Sequence, residues 1–255
     1  MAGEMRRQLV ACGVGLCLTA SPGSAIVIRH DRADSLYRAA GEAISAVCMV
    51  GRAGDATLIS PTWALTAAHV VSGMRREKPV VRLNCSGREL SILRVVPHPD
   101  WRDKGPHDMA LLELGEDVSA LGPIPLLPEG STEPGATAIL VGHGATRTGQ
   151  GGPWVEDRQR RAATSVIDRV DEEWLYFSFD AAPGGTDLEG APGRGDSGGP
   201  ALIMVGGKRF VAGVSSLGTD GMAGPGTYGA GDLFGRISTH RRWLWSVMGE
   251  STPPR

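Results

Sequence analysis

Three polar residues stand where their types could do nucleophilic chemistry. They are His69 in Thr66-Ala67-Ala68-His69, Asp108 in His107-Asp108-Met109-Ala110-Leu111-Leu112, and Ser197 in Gly193-Arg194-Gly195-Asp196-Ser197-Gly198-Gly199-Pro200. A serine hydroxyl is a poor nucleophile until a neighbouring base takes its proton. His69 is a candidate for that base, and for the acid that later protonates a leaving amine. Asp108 is a candidate for the group that holds the imidazole in one tautomer and stabilises the imidazolium. Each island alone is weak, because a lone histidine after a strand usually packs and a lone aspartate usually caps a turn. The third island also contains Arg194-Gly195-Asp196-Ser197, which resembles the RGDS sequence of adhesive proteins, so a binding reading stands beside the enzymatic one.

The elements that must position these residues are short. Six β-rich runs occur at 43–50, 56–60, 63–68, 80–85, 90–96 and 109–114, separated by turn residues. A second series follows at 136–144, 162–170, 174–179, 200–205 and 209–216. Between them, the segment 121–135 carries four prolines and reads as an extended linker. Six strands, a Pro-rich crossing and about six more predict two similar β-units. The 37 glycines and 17 prolines agree with many turns and few long helices. One helix is expected in 238–250, capped by Ser238, with Trp243, Leu244, Val247 and Met248 on its apolar side.

A net charge of −2 over 255 residues gives no electrostatic reason to expect nucleic acid or an anionic membrane as partner. Arg6-Arg7, the apolar run Leu9 to Ala20 and the small residues ending at Ala25 read as a secretory signal peptide, residues 1–25. Its removal discards Cys12 and Cys17 and leaves Cys48 and Cys85, as one bridge or as two buried thiols.

Taken together, the three islands resemble the chymotrypsin/trypsin-like serine peptidases, whose His, Asp and Ser occur in this chain order. The words TLISPTWALTAAH, VVPHPDW and GVSSLG match as well, and the resemblance covers roughly residues 26–248. The rival nucleophile elbow needs a helix after the serine and a following acid and histidine. Gly198-Gly199-Pro200 and the strand-like PALIMV oppose it.

The resemblance implies an all-β fold of two six-stranded antiparallel β-barrels with a C-terminal helix. The first barrel would span 26–122 and carry His69 and Asp108; the linker would span 123–135. The second, 136–237, would carry Ser197, followed by a helix and tail at 238–255. Gly195 and Ser197 would offer backbone N–H groups to the oxyanion. Asp196 would be buried and would pair with a new N-terminus at Ile26, which lies 43 residues before His69. Ile28-Arg29 replaces the glycines usual after that N-terminus, and Val70 and Gly193 stand where a disulfide is usual. Cys48 and Cys85 fall on neighbouring strands of the family barrel and would form a disulfide. The calcium loop of many relatives is shortened to SGRELS, so no metal is expected; His30, His98 and His143 lack metal-ligand spacing and read as structural.

For the substrate cleft the resemblance points to Ala191, Arg194, Ser216, Leu217, Gly218 and Gly226. Ala191 replaces the acid that binds basic side chains in trypsin, which favours an apolar or small residue before the scissile bond. Glu189 or Asp220 reaching in would instead favour a basic one. The loop EDRQRR, 156–161, reads as solvated. The expected protein is a secreted (extracellular or periplasmic) serine endopeptidase without cofactor. It would act on protein or peptide substrates as a monomer, without nucleic acid or stable membrane association. The rival is a catalytically silent relative used for binding or adhesion.

Overall fold

A computed structural model describes residues 25–75, 82–103, 105–222 and 224–249. The expected leader therefore lies outside the described residues except for Ala25, and so do residues 250–255.

Six strands form the first unit: β1 (Val47–Val50), β2 (Gly54–Ser60), β3 (Trp63–Thr66), β4 (Arg82–Cys85), β5 (Arg88–Pro97) and β6 (Ala110–Leu114). They close into a barrel in the order β1-β2-β3-β6-β5-β4. Leu58, Leu65, Leu83, Leu90, Leu111 and Leu112 are fully buried inside it, each contributing about 1.5–3 kcal/mol by leaving water. The neighbouring strands β1 and β4 carry Cys48 and Cys85, which are joined by a disulfide with Cα atoms 4.4 Å apart.

The second unit contains β7 (Thr137–Gly142), β8 (Arg161–Val166), β9 (Arg169–Val170), β10 (Trp174–Ser178), β11 (Pro200–Val205), β12 (Lys208–Gly218) and β13 (Gly231–Arg236). Their order is β8-β7-β11-β12-β13-β10-β9. The two ends of that list are one stretch of chain, interrupted at Ile167–Asp168, where the Asp168 N–H donates to Tyr176 O at 2.9 Å. The sheet therefore curls into a half-barrel of seven segments.

The first described residues pack on the second unit, not the first. Val27 and Ile28 pair antiparallel with Ala191 and Gly190. Helix α1 (Asp34–Glu42), absent from the sequence reading, lies against β8 and sends its Tyr37 hydroxyl to Glu189 O at 3.0 Å. The loop before β8 is also anchored, contrary to expectation. Arg161 is buried, held by Asp34 at 2.5 Å and Asp157 at 2.7 Å.

The Pro-rich linker is fastened at both ends. The Ile124 N–H donates to Leu58 O at 2.8 Å and the Leu127 N–H to Val211 O at 2.9 Å. Buried Glu133 accepts from Arg236 at 2.5 Å and from the Ser238 hydroxyl at 2.8 Å. The latter bond takes Ser238 away from the capping role expected of it. The C-terminal helix, α3 (Ile237–Met248), begins one residue earlier, and no side chain caps it.

Candidate active site

Strand β3 runs into helix α2 (Ala68–Arg75), which sets His69 at the helix's second position. Asp108 lies two residues before β6 and is buried. Its Oδ1 accepts the His69 backbone N–H at 2.8 Å, and its Oδ2 faces His69 Nδ1 at 2.6 Å. The same Oδ2 accepts the Ser216 hydroxyl at 2.5 Å. Burial pushes the Asp108 carboxyl up, but the bonds from His69 and Ser216 outweigh it and leave the group below its ordinary value.

The loop bearing Ser197 is pressed onto the same region. The Asp55 N–H donates to Ser197 O, and the Gly198 N–H to Ser215 O, both at 2.8 Å. Gly198 has φ +83°, and a Cβ there would come within 2.2 Å of both Asp55 O and Thr66 Oγ1. Only glycine permits that approach. It brings the serine loop against residues 66–67, two positions from His69. Ser197 Oγ itself makes no hydrogen bond among the described residues. The N–H groups of Gly195 and Ser197 are likewise unused within the described chain, whereas the intervening Asp196 N–H turns back to Gly193 O.

Asp196 is buried. Its Oδ1 accepts the Gly144 N–H at 2.7 Å and its Oδ2 the Gly193 N–H at 2.6 Å. Burial, then the nearby charge of Asp55, push this carboxyl well above its ordinary value. Ile26 is buried close by: the strand that follows it pairs with 190–191, and a Cβ on Gly193 would lie 3.1 Å from Ala25 O. With Ala25 attached, the Ile26 nitrogen is an amide, and Asp196 takes two backbone N–H groups in place of an ammonium.

A cleft beside Ser197 is lined by the expected Arg194, Ser216, Leu217, Gly218 and Gly226. Arg194 stands at its rim, its guanidinium 5.2 Å from the Trp154 ring. Ala191 does not line the cleft. Its pairing with Val27 turns it into a buried cluster with Phe179 and Tyr228, and Pro192 takes its place on the wall. Glu189 does not reach the cleft either, because the Thr186 N–H and hydroxyl hold its carboxylate.

Asp220, the other acid expected to favour a basic residue, does line the cleft, and so does Asp232, which the sequence reading passed over. This residue lines the cleft opposite Gly218, where a Cβ would sit 3.0 Å from Asp232 Oδ1. It is 6% exposed, its side chain has no hydrogen bond or ion pair among the described residues, and burial pushes its carboxyl up to about 8. Its strand, GDLFGR, was hidden by two glycines and an acid that read as a turn.

A comparison with protein-family profiles matches the trypsin profile over residues 40–244. The chain belongs to the trypsin family of serine endopeptidases. Mouse serine protease 56 is 32% identical over 221 residues, covering 76% of this chain and 35% of the relative. The chain thus spans about a third of that relative's length. Rat chymotrypsin-like elastase family member 1 is 27% identical over 213 residues, covering 75% of this chain and 77% of the relative. Among solved structures, mouse neuropsin superposes with a TM-score of 0.61 at 17% identity, covering 82% of this chain and 96% of that one, and shows the shared fold. This trypsin-family chain departs from the disulfide expected of its relatives at Val70, whose side chain packs over Gly54.

Proposed function

We propose that the chain is an exported endopeptidase in which Ser197 attacks, His69 is general base and then general acid, and Asp108 orients His69. The observation that carries this reading is the Asp108 carboxylate, which holds both the backbone and the ring of His69 beside the Ser197 loop. The unused N–H groups of Gly195 and Ser197 are the donors for the oxyanion of the tetrahedral intermediate. The Cys48–Cys85 disulfide favours an oxidising compartment. Among the described residues, no helix is long and apolar enough to cross a membrane.

The preferred substrate carries Lys or Arg before the scissile bond, bound by Asp232 in place of the missing acid at Ala191. A buried, unpaired carboxylate is costly, and an entering ammonium or guanidinium removes that cost. An adhesive use of Arg194-Gly195-Asp196-Ser197 is opposed by the burial of Asp196, whose oxygens are both occupied. Labelling with a fluorophosphonate tests the enzymatic reading. Covalent modification that disappears in Ser197→Ala supports it, and an unlabelled wild-type protein beginning at Ile26 overturns it.

A further inference from the structure

Outside the cleft, the two units meet at a cluster of four potential ligands. His98 ends at the base of β5, His107 precedes Asp108, Glu173 lies in the turn before β10, and His240 is on α3. His107 is held at φ +64°, the left-handed region that non-glycine residues seldom adopt. Its Nδ1 lies 2.9 Å from His240 Nε2. The Glu173 Oε2 atom is 3.3 Å from the first of these nitrogens and 3.5 Å from the second. One nitrogen from each of His98, His107 and His240 falls within 4.8 Å of the others.

Two independent features point to a cation. First, Glu173 Oε2 is buried and makes no hydrogen bond, although it faces two imidazoles. Second, His240 Nδ1 is 2.8 Å from Arg236 O. The Nδ1–H donates there, which leaves the Nε2 lone pair directed into the cluster. Backbone orientation of a histidine through its other nitrogen is the usual support of a metal ligand. A tetrahedral centre with bonds of about 2.0–2.1 Å separates its donors by about 3.3–3.4 Å. The observed 2.9, 3.3 and 3.5 Å bracket that spacing.

We propose that His107, His240 and Glu173, with His98 as fourth donor, form a divalent-metal site of the zinc type. Three imidazoles and one carboxylate suit Zn2+ and its borderline neighbours, not the oxygen-seeking Ca2+ or Mg2+. On binding, the metal takes the lone pair of His107 Nδ1 in place of the proton shared with His240 Nε2, and that proton passes by exchange with solvent to His107 Nε2, which keeps the imidazole neutral. Four protein ligands close the coordination sphere, so the role is structural. Two ligands come from the first barrel and two from the second unit and its helix. The ion therefore clamps α3 to the loop that carries Asp108. No local spacing marks the site, because His98 and His240 lie 142 positions apart.

The test is titration of EDTA-treated full-length protein with Zn2+, followed by calorimetry and thermal melting, and with Co2+, followed by visible absorption. One equivalent of Zn2+ that raises the Tm is expected, with a tetrahedral Co2+ spectrum and no such response to Mg2+. His107→Asn and Glu173→Gln should each weaken Zn2+ binding at least tenfold, while His69→Ala leaves it unchanged. Glu173 is partly exposed, so its amide variant folds, and the wild-type spectrum is independent of any variant. Absence of uptake, an octahedral Co2+ spectrum, or affinity that falls with His69 instead of His107 would each overturn the proposal.

Discussion

The carboxylate of Asp108 meets His69 twice, through the backbone N–H at 2.8 Å and through ring Nδ1 at 2.6 Å. The first contact fixes where the helix starts relative to the acid, and the second fixes the ring's tautomer. Asp108→Asn keeps the size of the side chain but offers an N–H where Nδ1–H must be accepted. The expected result is a fall in kcat of about 10⁴-fold on peptide substrates, with the Tm within a few degrees of wild type. Steady-state kinetics beside a thermal melt checks both halves.

The role proposed for Asp232 predicts that substrate binding depends on pH. Its carboxyl is raised from 3.8 to about 8 by burial alone, and only the ionised form attracts a cation. Below pH 8, affinity for benzamidine should therefore rise roughly tenfold per pH unit, and it should flatten above. Asp232→Asn should weaken that binding, remove its pH dependence, and shift cleavage from Lys and Arg toward uncharged side chains. A benzamidine affinity independent of pH would refute the role given to this residue.

The same group sets a trend in stability. Between pH 3.8 and 8 the folded chain keeps a proton that the unfolded chain releases, so stability falls as pH rises, by at most about 1.4 kcal/mol per unit. Urea denaturation at pH 5 and pH 7.5 should show this slope in the wild type and a flatter one in Asp232→Asn.

The strands were legible where the apolar pattern is dense, as in PALIMV, and the islands of His69 and Asp108 do meet in the fold. Strand β13 and Asp232 were not legible, because glycine and acid in a strand look like a turn until cross-strand pairing with β10 and β12 overrides local preference. Helix α1 was missed for a related reason: Tyr37 is its main buried anchor, and the partner it reaches, Glu189 O, is 152 positions away. The direction of Ala191 was also invisible, since it depends on pairing with Val27 from the other end of the chain.

The disulfide closes a separation of 37 residues across β1 and β4, and neither cysteine lines the cleft beside Ser197. A Cys48→Ser/Cys85→Ser variant should lose about 2–4 kcal/mol of stability. Its kcat/KM at low temperature should stay close to wild type. Urea midpoints before and after reduction of the native protein give the same quantity without a substitution.

Asp196 is buried with two backbone donors, and burial, then the nearby charge of Asp55, push its carboxyl up. A chain beginning at Ile26 would place an ammonium near that carboxylate, and the pair would steady the Gly195 and Ser197 donors. Protein starting at Ile26 should therefore turn over about 10²–10³-fold faster than protein retaining Ala25, the scale of losing one oxyanion donor. Equal rates for the two forms would sink the idea. The comparison carries its own control, because Asp196→Asn removes the charge that the ammonium would answer. In that variant the two starts must give the same low rate.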